Sequence, residues 1–187
     1  MKAIHSKFKK MDNYLKINDL YHLTEMRGSD KPALLLYMND EVLYNNTLRI
    51  PSPYTEGDAD AFLKICRQTE REYGQIINWA IRNSKDELIG GIGRFMSSEK
   101  TTKHKDEIGY WLAKPFRGQG IMTEIVKGYC DYLMEKQGII RIEAIVFPHN
   151  LGSMKVLEKA GFEREGFGKK FQMKNGVPID VVLYAKI

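Results

Sequence analysis

Apolar residues return along this chain in two rhythms, and the change from one to the other marks out its elements. From residue 121 to 138 the rhythm is helical: Ile121, Ile125, Tyr129, Tyr132 and Leu133 share one face, Met122 and Val126 stand beside them, and Gly138 follows as a stop. QIINWAIR (75–82) and LIGGIGRF (88–95), separated by polar NSKDE, read instead as an antiparallel pair of strands. DEIGYWLA (106–113) adds another strand after the charged loop SSEKTTKHK. IRIEAIVFP (140–148) has the texture of a buried strand, and NLGSMKVLEKA (150–160) that of a short helix capped by Asn150 and stopped by Gly161. Asn175-Gly176 is the preferred pair for a two-residue hairpin turn, so residues 167–187 are predicted to fold back as two antiparallel strands.

The N-terminal part is less regular. NYLKI (13–17) predicts a first strand, and Asn18 or Asp19 is placed to cap a short helix over DLYHLTEM (19–26). KPALLLYMN (31–39) predicts a second helix, with Pro32 in the first turn, where its missing N–H does no harm. In RIPSPYTEGDADAFLKICRQTERE (49–72) two prolines force an extended approach. Thr55 then serves as N-cap, Asp58 stands at the capping-box position, and the helix carries Ala61, Phe62, Ile65 and Cys66 on one face. Helices, a run of strands, helix, strand, helix and hairpin in that order predict an α+β fold: a mixed, mostly antiparallel central sheet flanked by helices, with a C-terminal β-hairpin. No repeat or domain boundary interrupts residues 1–187, so a single domain is expected.

Composition sets limits on this picture. At 187 residues, 43% hydrophobic and 28% charged, the chain suits a globular fold and is too apolar for a disordered one. No run of 18 apolar residues suggests a membrane span. The start, MKAIHSKFKK, holds four lysines and no following apolar run, which reads as a mobile basic end and not a secretory signal. Cys66 and Cys130 lie far apart among apolar neighbours, as small buried hydrophobes do in a reducing cytoplasm. The histidines His5, His22, His104 and His149 are too scattered for a metal motif, so no metal is expected. The net charge of +5 favours an anionic ligand or partner without pointing to nucleic acid, whose recognition motifs are missing.

The candidate chemistry lies in WLAKPFRGQGIMTE (111–124). A strand there feeds a turn with Arg117, Gly118, Gln119 and Gly120 directly ahead of a helix. A helix start presents unpartnered N–H groups and the positive end of the dipole, glycines remove the side chains that would keep an anion away, and Arg117 brings a charge. Together they read as a phosphate cradle, beside the plainer reading of glycines loosening a tight turn. A nucleotide P-loop fails, because Ile121, Met122 and Thr123 follow Gly120 where Lys and Ser or Thr are required. A dinucleotide fingerprint fails on its third glycine and on the antiparallel strands before it.

At this point the chain resembles the GNAT superfamily of acyl-CoA-dependent N-acyltransferases. Their cofactor loop runs Arg or Gln, two free positions, Gly, one free position, then Gly or Ala; here it reads Arg117 to Met122, with methionine in the last place. EIGYWLAKPFRGQGIMTE, NLGSMKVLEKAGF, the upstream PSPYT and the terminal DVVLYAKI resemble the RimJ/RimL branch, which acetylates N-terminal amines of ribosomal proteins. The resemblance implies acetyl-CoA as cosubstrate. The amides of Arg117, Gly118, Gln119, Gly120, Ile121 and Met122 would hold its pyrophosphate, the strand at Trp111 and Leu112 would pair with its pantetheine, and Asn150 would hydrogen-bond that arm or serve only as an N-cap. A strand amide there would also polarise the thioester carbonyl.

Direct attack by a primary amine needs the neutral form. An α-amine, with a reference pKa near 7.7–8.0, is about a tenth neutral at pH 7, while lysine, near 10.4, is almost wholly charged. Glu107, at the start of the central strand and on the same side as Gly109 and Trp111, is the candidate base through water, or else a solvated carboxylate. Many GNAT relatives protonate the departing thiolate with a tyrosine where this chain has Leu157. Ser153 matches the serine of the RimJ/RimL pattern, and Tyr184 on the last strand is the other candidate, or a core residue. Tyr54, Trp79, Phe95 or Trp111 would line the acceptor pocket if they are not core, and His149 would face it if it is not simply solvated. The implied acceptor is a protein N-terminus. The alternatives are a polyamine, amino acid or aminoglycoside, or a non-catalytic module binding acyl-CoA or RNA, in a monomer or homodimer.

Overall fold

The computed structural model describes residues 13–96 and 100–187, so the predicted basic end and part of the charged loop lie outside the described residues. Its frame is one eight-stranded sheet in the order β1-β2-β3-β4-β5-β6-β8-β7. The strands are β1 (Tyr14–Lys16), β2 (Tyr21–Glu25), β3 (Asn78–Asn83), β4 (Leu88–Met96), β5 (Lys105–Leu112), β6 (Arg141–Val146), β7 (Glu163–Lys174) and β8 (Val177–Lys186). Every neighbouring pair is antiparallel except β5 and β6. The predicted mixed α+β sheet and C-terminal hairpin are thus present. Asn175 and Gly176 both take positive φ, 51° and 78°, as the hairpin's tight turn requires.

The predicted helix over residues 19–26 is instead strand β2. Asn18 does cap amides, its Oδ1 accepting from Leu20 N–H at 2.8 Å and Tyr21 N–H at 2.9 Å, but the turn it makes sends the chain back along β1. Residues 21–25 then pair on both sides, with β1 and β3, and this double ladder overrides the local helical spacing.

The helices divide between the two faces of the sheet. On one face lies α4 (Ile121–Gln137), burying Ile121, Met122, Ile125, Val126, Tyr129, Cys130 and Leu133, with α5 (Leu151–Lys159) packed beside it. On the other lie α1 (Lys31–Met38), α2 (Glu41–Asn46) and α3 (Glu56–Tyr73), over a second core that includes Leu34, Leu63, Cys66 and Trp111. Thr55 and Asp58 form the predicted capping box of α3. Its buried face is Ala59, Leu63 and Cys66, however, while Ala61 and Ile65 point to solvent. The short α2 carries too little apolar periodicity to be read from sequence. Both cysteines are buried and unbridged, and burial pushes their thiols up to about 12. No helix among the described residues is long and apolar enough to cross a membrane.

A buried ion pair ties the N-terminal hairpin to the sheet. Arg82 on β3 is almost fully enclosed and donates to both Asp30 oxygens at 3.0 and 2.9 Å, and to Thr24 Oγ1 at 2.7 Å. Removing one partner of such a pair strands the other charge in low dielectric. Asp30→Ala should therefore cost about 3–5 kcal/mol of unfolding free energy, read as a lowered urea midpoint with an unchanged m-value.

Candidate active site

The site begins where two central strands part. β5 and β6 are in register only at Lys105–Arg141, Asp106–Ile142 and Glu107–Glu143. Past Glu107, β5 stays paired with β4 as far as Leu112, and β6 stays paired with β8 as far as Val146, so a gap opens between them in mid-sheet. The Ala113 N–H donates to the Ile89 carbonyl at 2.9 Å, which fixes the alternation of the antiparallel ladder. Gly109 and Trp111 accordingly turn their backbone groups to β4, while Ile108, Tyr110 and Leu112 turn theirs into the gap. Of the two strand residues expected to meet pantetheine, Leu112 presents its amide there and Trp111 pairs with Gly91.

At the end of β5 the chain makes a single 3-10 turn, Lys114–Phe116, and enters the glycine loop. Gly118 and Gly120 take φ of +77° and +81°, and a Cβ on either would meet nothing within 4 Å. Both are therefore required by the backbone and both face open space. The first helical bonds of α4 come from Thr123 and Glu124 N–H to the Gly120 carbonyl, leaving the amides of residues 118–122 ahead of them. The side chains of Ile121 and Met122 are core, so only their amides belong to this concave edge. Gln119 folds its side chain back onto the Pro115 carbonyl at 3.0 Å.

Arg117 is not the free charge that the sequence suggested. Its Nε donates to the Leu112 carbonyl at 2.8 Å and its Nη1 to Asp40 at 3.1 Å, bracing the loop against the start of α2. Burial works against the Asp40 carboxylate, yet the Leu43 amide and Arg117 hold its pKa below the ordinary value. The positive character of the cradle therefore comes from the helix start more than from the guanidinium. Arg117 Nη2 is buried with no hydrogen-bond partner among the described residues.

Glu107 and Ser153 approach the gap from opposite faces. Glu107 shares its face with Gly109 and Trp111. Burial first, and the facing Glu143 second, push its pKa above that of an ordinary glutamate, against Arg49 and Lys105. Glu143 itself is matched by Lys105 at 3.0 Å and Arg141 at 2.7 Å, so Glu107 is the carboxylate of the row without an ion pair among the described residues. Beside it Phe95 is 44% exposed, with the Arg49 guanidinium 4.5 Å above its ring. On the α5 side Asn150 Oδ1 caps the helix through the Ser153 N–H at 3.1 Å, and Ser153 Oγ lies 2.8 Å from the hydroxyl of Tyr110 on β5.

Several candidates are placed elsewhere. The Tyr184 hydroxyl donates to Glu158 at 2.9 Å, roughly 1.4 turns along α5 from Ser153, and the ring is core. Leu157 is fully buried. Tyr54, Trp79 and Trp111 are core, leaving Phe95 as the exposed aromatic of that set, and His149 is exposed beyond Phe147. Sequence reasoning missed Tyr110, Arg49 and Asp40. The alternation of EIGYWL places Tyr110 opposite Glu107 in facing, which was a usable signal for the first; the other two carry none.

A family model described as the acetyltransferase (GNAT) domain matches residues 21–163. The chain belongs to this family. YdaF of Bacillus subtilis, named as a candidate ribosomal N-acetyltransferase, is 36% identical over 91% of this chain and 92% of its own length. YjcK of the same organism, named as an N-acetyltransferase, is 47% identical over 50% of this chain, and the match spans 51% of YjcK. The chain thus spans about half the length of that relative. RimL, a ribosomal L7/L12 α-N-protein acetyltransferase solved in complex with coenzyme A, superposes with a TM-score of 0.80 at 21% identity over 93% of this chain and 97% of RimL. That likeness is one of fold.

The open space over the glycines makes a direct prediction. Gly120→Val places a β-branched residue at positive φ and in the concave edge, so it should abolish calorimetric binding of acetyl-CoA. The strain should cost about 1–2 kcal/mol of stability, read by denaturation of the same sample.

Proposed function

We propose that this chain is an acetyl-CoA-dependent N-acetyltransferase whose acceptor is the α-amine of a protein N-terminus. The observation that carries the reading is the parting of β5 and β6 past Glu107, which leaves one edge of β5 without a strand partner in mid-sheet, ahead of the glycine loop and the start of α4. When bound, acetyl-CoA supplies an acetyl thioester. The open glycines and the amides ahead of α4 fit its pyrophosphate, and the outward Tyr110 backbone and Leu112 N–H fit an amide-rich arm. Asn150 spends its Oδ1 on the cap, which leaves Nδ2 to donate to that arm.

On the acceptor face Glu107 takes the proton of an arriving ammonium through water, and its raised pKa makes it a better base than an exposed glutamate. The freed amine forms its C–N bond with the acetyl carbon as the C–S bond breaks, the sulfur leaves as a thiolate on the side of Ser153, and the nitrogen's second proton passes to water as the amide forms. A backbone amide of β5 turned into the gap is placed to hold the carbonyl oxygen. The acceptor face supports an extended peptide over a polyamine. Glu143 is already neutralised, and the cations that act on Glu107, Arg49 and Lys105, stand where an acidic basin would be needed.

Glu107→Gln should lower kcat/KM toward a peptide with a free N-terminus by about tenfold at pH 7. The deficit should shrink toward pH 9, where an α-amine is mostly neutral unaided. In the parent enzyme the ionised base is gained as pH rises through its elevated pKa, so the acid limb of the kcat/KM profile should lie above the ordinary glutamate range. A pH series with both proteins measures this.

A further inference from the structure

We propose that Tyr110 is a positioning residue for acetyl transfer: its phenol donates to Ser153 Oγ, leaving the serine's own proton free to point at the departing sulfur. The proposal rests on the reading of Ser153 as the residue beside the leaving group. Tyr110 stands on β5 at the open part of the gap, on the face of α4 and α5, and reaches across to the first turn of α5. Two hydrogen arrangements are open to the pair. In one, Ser153 donates to the phenol oxygen and the phenol proton is left with the Ser153 carbonyl at 3.4 Å, a long and weak contact. In the other, Tyr110 donates across 2.8 Å and the serine proton is unspent.

Charge developing on sulfur selects the second arrangement, because a donor aimed at an anion forms a charge-assisted bond. Asn150 restricts the serine further by holding its backbone N–H in the cap. Burial pushes the Tyr110 pKa up, with the Ser153 bond opposing it, so the phenol stays protonated through the neutral range and remains a donor. The pair therefore works without giving up a proton. The sulfur, with a thiol pKa of about 8.5, departs as a thiolate stabilised by the Ser153 O–H, and both protons lost by the nitrogen, one before attack through Glu107 and one as the amide forms, pass to water on the Glu107 side.

The test compares the parent, Tyr110→Phe, Ser153→Ala and the double variant by steady-state kinetics on an N-terminal peptide and by calorimetry with acetyl-CoA. Tyr110→Phe removes one oxygen and keeps the ring, and an unchanged dissociation constant for acetyl-CoA certifies the fold of the site. The proposal expects kcat to fall about tenfold in Tyr110→Phe, with KM for acetyl-CoA unmoved and the double variant no slower than Ser153→Ala alone. Losses that multiply in the double variant, or a full kcat in Tyr110→Phe beside a slow Ser153→Ala, would overturn the positioning role while leaving Ser153 in place. A full kcat in Ser153→Ala would remove Ser153 from the chemistry and the Tyr110 role with it.

Discussion

A strand in the middle of a sheet ordinarily has both edges satisfied, and β5 has only one past Glu107. Backbone N–H and C=O groups away from water cost about 1–3 kcal/mol each when unpaired, so the Tyr110 backbone and the Leu112 N–H make an edge that is expensive to leave without a partner, the Leu112 carbonyl being taken by Arg117. The parallel register with β6 stops after Glu107–Glu143, and nothing among the described residues resumes it. The rest of the arrangement follows from that interruption. The strand end delivers the chain to the glycine loop, α4 begins there with its amides facing out, and α5 starts on the far side of the same gap.

The gap is held open by interactions at its rim. Arg117 ties the end of β5 to the start of α2, and the tip of the β7–β8 hairpin clasps the other end of that short helix: Lys174 donates to the Tyr44 carbonyl and, at 2.8 Å, to the Thr47 carbonyl. Asn175 adds a bond to the Tyr44 hydroxyl at 2.7 Å. A cation among carbonyls at a helix C-terminus is the favourable end of the dipole. These contacts make α2 a strut between the two sides of the site, although its six residues would not form a helix alone.

Elements with strong periodicity or explicit turn chemistry were legible from sequence. The α4 face, the Thr55–Asp58 box, the Asn175–Gly176 turn and the central meander all depend on residues close to one another in the chain. The failures have tertiary causes. Residues 21–25 read as helix until two flanking strands claim their backbone, and Arg117 reads as a free charge until Asp40, distant in sequence, takes it. The site was legible to the same degree. Glu107, Ser153 and the glycine loop carry local pattern, whereas the Tyr110–Ser153 bond and the Arg49–Phe95 stack exist only once the sheet is folded.

The central claim is that the open edge of β5 is the seat of the pantetheine arm, and amide hydrogen exchange tests it most directly. With saturating acetyl-CoA the account predicts slower exchange at Leu112 and Tyr110, which face the gap, and no comparable change at Gly109 and Trp111, which are already bonded to β4. Unchanged exchange at Leu112 and Tyr110 under saturation, with protection appearing elsewhere, would contradict it.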